Sequence, residues 1–113
     1  LARYVKGDVI VVNFPFSSDT QFKLRPAVVI ASWPYLDSRD YLVCMFSTQD
    51  DGDPFQIEVH KEDTIGATFQ EKCFIRPAYT FAASERRMNR KVCSLKPEKL
   101  NALLRVLHDL LDQ

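Results

Sequence analysis

A chain of 113 residues and 13.0 kDa, 46% hydrophobic and 27% charged, is one ordinary globular domain, large enough to bury a core without disulfide or metal staples. Fifteen basic residues balance fifteen acidic ones, so bulk charge gives no support to a protein that coats nucleic acid. No apolar run approaches the ~20 residues that cross a bilayer.

The start, Leu1-Ala2-Arg3-Tyr4, carries no charged-then-apolar leader, and nothing there marks export. It also lacks methionine, so a few native residues are expected before Leu1. Cys44, Cys73 and Cys93 are odd in number, widely spaced and without a CxxC pair. They are expected to be reduced core residues of a cytoplasmic protein. His60 and His108 match no zinc spacing, and neither a metal nor any other cofactor is expected.

In chain order, residues 8–13 form a β-branched strand that Phe14-Pro15-Phe16 stops, because proline cannot donate to a ladder. A polar loop then ends in Lys23-Leu24-Arg25-Pro26, and a second strand follows over residues 27–31. Pro26 holds Arg25 extended, presenting a guanidinium at a sheet edge where a phosphate could be gripped. Residues 33–40 read as a turn broken by Pro34, and residues 41–47 as a third, core-crossing strand closed by Thr48. Residues 54–60 alternate Phe55, Ile57 and Val59 with polar side chains. Across Asp50-Asp51-Gly52-Asp53, they should form a hairpin with the third strand.

Residues 61–67 read as a loop or short helical turn, residues 72–76 as a short strand ended by Pro77. Residues 78–84 are either irregular or a continuation of that strand, and residues 90–95 form the last one. Residues 84–96 hold Arg86, Arg87, Arg90, Lys91 and Lys96 against Glu85 alone, a solvated face or a patch that tracks phosphates. Finally Leu100, Leu103, Leu104, Leu107, Leu110 and Leu111 follow helical spacing, with Pro97 suited to the first turn. The whole is one domain, residues 1–113: mainly β (α+β), a small, strongly curved antiparallel sheet or barrel with a C-terminal amphipathic helix packed on it.

Gly7-Asp8-Val9 opening a strand, Phe14-Pro15-Phe16, and Lys23-Leu24-Arg25-Pro26-Ala27-Val28-Val29-Ile30 come in the order and spacing of a known family. Ser47-Thr48-Gln49, Pro54-Phe55-Gln56-Ile57-Glu58-Val59 and Lys96-Pro97-Glu98-Lys99-Leu100 continue the pattern. The chain resembles the MazF/PemK toxin endoribonucleases over nearly its whole length. That resemblance implies an SH3-like barrel, a homodimer, and metal-independent, sequence-specific cleavage of single-stranded RNA (mRNA, rRNA or tRNA). It also implies a cognate antitoxin whose disordered tail threads the RNA groove. The amphipathic helix itself reads as core packing, so no membrane partner is expected. The family's catalytic Arg and Thr match Arg25 and Thr48, and Phe16, Lys23, Ser47, Gln49, Arg76, Arg86 and Arg87 are the expected RNA contacts.

The chemistry suits those residue types. RNA carries its own nucleophile, the 2′-OH, so cleavage to a 2′,3′-cyclic phosphate and a 5′-OH needs charge stabilisation on the phosphorane and help at the leaving oxygen. Arg25 offers a permanently charged fork for two phosphate oxygens, and Thr48 a stiff hydroxyl donor. Arg25 is expected to act as a clamp rather than a base, since deprotonating guanidinium is very costly. Phe16 or Phe22 could stack a base.

Departures from the pattern are visible too. One branch of the family has Arg-x-Asp where this chain has Arg76-Pro77-Ala78, so no general base is expected there. The acidic residues 50–53 are expected to repel an RNA backbone beside Thr48. Two rivals remain: a catalytically inactive binding barrel, and a gyrase-targeting toxin. The latter uses a Trp-containing C-terminal end, whereas this chain ends Leu110-Leu111-Asp112-Gln113.

Overall fold

The computed structural model describes residues 3–15, 22–33 and 39–113. Seven strands among them, β1 (Asp8–Pro15), β2 (Phe22–Trp33), β3 (Asp40–Ser47), β4 (Ile57–Val59), β5 (Thr64–Gly66), β6 (Cys73–Ser84) and β7 (Met88–Leu95), precede one helix, α1 (Pro97–Leu111). All pairings are antiparallel, in the order β4-β6-β3-β2-β1-β7-β5.

That order dictates a curl. The two edge strands, β4 and β5, are consecutive in the chain, joined only by His60 and a 3-10 turn at Lys61–Asp63. A flat sheet of seven strands would hold its edges roughly 29 Å apart. The link from Val59 to Thr64 can span no more than about 18 Å. The sheet therefore closes on itself into a half-barrel. Register shifts along β1–β7, β2–β3 and β3–β6 supply the local bending.

The central strands are apolar on both faces, which explains their near-continuous hydrophobic runs. Val9, Val28, Cys44 and Phe46 face one cluster, completed by Ile75 and by Leu103 of α1. Ile10, Val12, Ala27, Val29 and Val43 face the other, with Tyr4, Tyr41 and Met88. Pro97 starts α1 at a position where its missing N–H costs nothing, and Leu100 and Leu107 pack beside Leu103. The three cysteines are free and buried.

Several sequence expectations change. β2 begins at Phe22, so Lys23-Leu24-Arg25-Pro26 lies within the strand, paired to β1, rather than in a loop. β3 and β4 form no hairpin: β6 lies between them, and Phe46 and Ile57 both pair with Ile75. Cys73, Phe74 and Ile75 of β6 are all buried, and that strand takes the β3 edge from the half-buried β4. β4 is also shorter than residues 54–60, because Asp53 draws the chain into a turn. Its carboxylate accepts from the Phe55 N–H at 2.9 Å and its carbonyl from Gln56 N–H at 3.2 Å.

Pro77 does not end β6. The β3 register jumps from Met45↔Arg76 to Cys44↔Thr80, so Pro77, Ala78 and Tyr79 bulge out of the ladder and the missing donor is never needed. Residues 78–84 thus continue the strand. Of the turn expected over residues 33–40, positions 34–38 lie outside the described residues, as does Phe16.

Candidate active site

The site is built where two neighbouring strands part. β2 and β3 pair only as far as Ala27↔Met45. Beyond that point β2 stays with β1, Arg25 opposite Val12, while β3 stays with β6, Ser47 opposite Phe74. The cleft between them is a cavity of about 380 Å³. Half-buried Arg25 and Pro26 line it from β2, Phe46, Ser47 and Thr48 from β3 and its end. Phe69, Gln70 and Glu71, with Cys73 at the start of β6, close the remaining side.

Thr48 is the first residue past β3 and is exposed. The Ser47 hydroxyl oxygen accepts from the Gln49 N–H at 3.0 Å, fixing the turn that presents Thr48. Arg25 and Thr48, 23 positions apart in sequence, therefore face one cavity. The guanidinium and hydroxyl suit an anion with several oxygens, such as a phosphodiester.

A second cavity of about 230 Å³ shares Arg25, Phe46 and Ser47 with the first and adds Met45, Arg76 and Tyr79. Arg76 is buried, with Nη1 donating to Asp51 Oδ2 at 2.6 Å and Nη2 3.4 Å from Asp53 Oδ2. Its guanidinium lies 4.9 Å from the Tyr79 ring centre, and its Nε is buried without a hydrogen-bond partner. Burial opposes the charge, yet Asp51 and Asp53 more than compensate and hold the guanidinium pKa above its ordinary value. Two of the three carboxylates of residues 50–53 are thus engaged by Arg76. The third, Asp50, is held below the usual carboxylate range by the Gln56 amide and the Gly52 N–H.

Met45 leads on to a third cavity, about 290 Å³, where Phe14 and Phe81 stack edge-on at 4.7 Å beside Arg87. The expected RNA contacts therefore divide. Arg25, Ser47, Thr48, Arg76 and Arg87 lie along this run of cavities. Lys23 on β2, Gln49 and Arg86 are exposed but line none of the three, and the Arg86 N–H is held by the Ser84 hydroxyl at 3.3 Å. Phe16 lies outside the described residues.

Phe69, Gln70 and Glu71 escaped the sequence reading. Their only local signal is an aromatic followed by an amide and a carboxylate between Gly66 and β6. Phe69 is fixed against Phe46, ring centres 5.0 Å apart and planes tilted 32°. Burial pushes the Cys73 thiol up to about 11, so it stays protonated and serves as an inert wall.

The profile of the PemK-like, MazF-like toxins of type II toxin–antitoxin systems matches residues 5–111. The chain belongs to this family. Solved structures agree in fold. An "Endoribonuclease from Mycobacterial species" is 10% identical with a TM-score of 0.73, covering 99% of this chain and 94% of that one. The "Mycobacterium tuberculosis toxin MazF-mt6" is 14% identical with a TM-score of 0.71, covering 93% and 96% respectively. An "Endoribonuclease in complex with its cognate antitoxin from Mycobacterial species" is 11% identical with a TM-score of 0.69, covering 96% and 95%. No curated protein matches in sequence. In this PemK/MazF-like toxin, Arg25 and Thr48 lie on the two lips of the β2–β3 cleft. No helix among the described residues is long and apolar enough to cross a membrane.

Proposed function

We propose that this PemK/MazF-like toxin is a sequence-specific endoribonuclease that cleaves single-stranded RNA without a metal ion. The observation that carries the reading is the convergence of Arg25 and Thr48 on one cavity from strands that diverge beside them. The Arg25 guanidinium binds two non-bridging oxygens of the scissile phosphate, and the Thr48 hydroxyl donates to one of them. The 2′-oxygen attacks phosphorus, the P–O5′ bond breaks, the 2′ proton passes to solvent and the 5′-oxygen gains a proton. The products are a 2′,3′-cyclic phosphate and a 5′-OH. Arg25 stays charged throughout.

The three shared or adjoining cavities give a single strand a path on either side of Arg25. A cognate antitoxin neutralises the protein by occupying that path, in keeping with the antitoxin complex of a structural neighbour. We assign a second copy of the chain to the apolar groove of about 600 Å³ between α1 and the sheet, where Ile30, Leu42, Leu107 and Leu110 meet an 80% exposed Leu111. Free, buried thiols fit action in the reducing cytoplasm.

Induced expression in a bacterial host tests this reading. The wild-type chain should arrest growth and Arg25→Ala should not, at equal protein levels. Arrest that persists undiminished in Arg25→Ala would overturn it.

A further inference from the structure

We propose that the cavity walled by Phe69, Gln70 and Glu71 is a nucleobase pocket that selects guanine beside the scissile phosphate. The inference rests on the ribonuclease reading and names a specificity element within it. The cavity, about 380 Å³, is larger than a phosphate needs and falls in the range of ligand pockets. Arg25 and Thr48 supply phosphate-binding chemistry within it. The lining also has apolar surface from the partly buried Phe69, backed by the buried Phe46, and from Pro26, which suits the flat face of a base. The ring of Phe69 is already held against Phe46 and needs little ordering on binding.

The polar groups decide which base. Glu71 is exposed, and its carboxylate only accepts hydrogen bonds; Gln70 both donates and accepts. Guanine presents two adjacent donors, N1–H and the N2 amino group, to the two oxygens of a carboxylate. It also offers the O6 acceptor to an amide N–H. Uracil sets one N–H between two carbonyls, which oppose Glu71. Adenine and cytosine each place a ring acceptor beside their amino group. The second cavity, which shares Arg25, Phe46 and Ser47 with the first, adds Met45, Arg76 and Tyr79 and no carboxylate. Selection by Glu71 therefore acts on one flank of the cut. Glu71 also disfavours a phosphate in its own part of the cavity, keeping the backbone at Arg25 and the base inside.

Two readouts test this on the full chain. Nuclear magnetic resonance titrations with 3′-GMP, 3′-AMP, 3′-CMP and 3′-UMP should show 3′-GMP binding about tenfold more tightly than 3′-UMP, as a bidentate pair allows. Shifts should centre on Phe69 to Glu71, and Glu71→Gln should erase the preference. In parallel, mapped cut sites of the wild type should carry guanine at one position flanking the cut, and Glu71→Gln should relax that position alone. Equal binding of the four nucleotides, or a preference that Glu71→Gln leaves intact, would overturn the pocket. Guanine selectivity in binding by a protein that cuts no RNA would support the pocket while sinking the ribonuclease reading.

Discussion

The Arg76 guanidinium is bound to the Asp51 carboxylate at 2.6 Å, across 25 residues of sequence. An arginine beside the candidate cavity is thus engaged on two nitrogens by the acidic loop, with Asp53 as its second partner at 3.4 Å. The acidic loop beside Thr48 therefore has one of its three negative charges offset by Arg76 and keeps the other two, while both terminal nitrogens of Arg76 face carboxylates.

Asp51→Asn should release that hold. Asp51 is more than half exposed and Asp53 remains, so the stability loss should be only about 1 kcal/mol by urea unfolding. RNA binding should tighten and its dependence on log salt steepen by roughly 0.7, one further phosphate contact on a single strand. Fluorescence anisotropy across a salt series measures both. An unchanged slope would mean Arg76 stays a structural anchor.

Ser47→Ala removes the hydroxyl that accepts from the Gln49 N–H and so loosens the turn carrying Thr48. Cleavage should slow about tenfold through misplacement of the Thr48 hydroxyl. Stability should change by no more than ~0.5 kcal/mol. Single-turnover kinetics alongside thermal melts separate the two effects.

Leu103 is fully buried where α1 meets the sheet. Leu103→Ala should cost about 2–5 kcal/mol, the range for emptying such a site. Denaturant unfolding reads the loss directly, and a cost under 1 kcal/mol would mean α1 packs more loosely than described.

Asp63 joins the 3-10 turn to α1, accepting from the His60 N–H at 2.8 Å and pairing with Lys99 at 3.2 Å. Burial raises its pKa, but these partners outweigh burial and leave it below the ordinary value. A depressed carboxylate stabilises the fold above its unfolded pKa, about 3.9, and loses that contribution as pH falls through the folded value. Asp63→Asn should therefore be less stable than wild type at pH 7, and the gap should close on acidification below about pH 4. Urea midpoints measured from pH 7 to pH 2.5 check the sign.

Much of the fold was legible because β1, β2 and β3 are buried on both faces, and continuous β-branched runs report that locally. The α1 leucine stripe was equally plain. The β3–β4 hairpin was misread because the acidic turn looks local, whereas β6, recruited from beyond residue 72, intervenes between the strands. Pro77 misled for a related reason: a bulge absorbs its missing donor, and only the β3 register reveals the bulge. Arg25 and Thr48 could be named from motif order. Phe69, Gln70 and Glu71 could not, since their place in the cavity depends on how the curled sheet brings a distant loop against Phe46.

The most direct measurement incubates a long single-stranded RNA with purified protein in excess EDTA, wild type beside Arg25→Ala, Thr48→Ala and the double variant, with cut ends mapped and their termini analysed. Discrete cuts ending in 2′,3′-cyclic phosphate, lost in each single variant and no further in the double, are the predicted result for two groups acting on one phosphate. Cutting that survives Arg25→Ala, or that requires a divalent ion, would contradict the account.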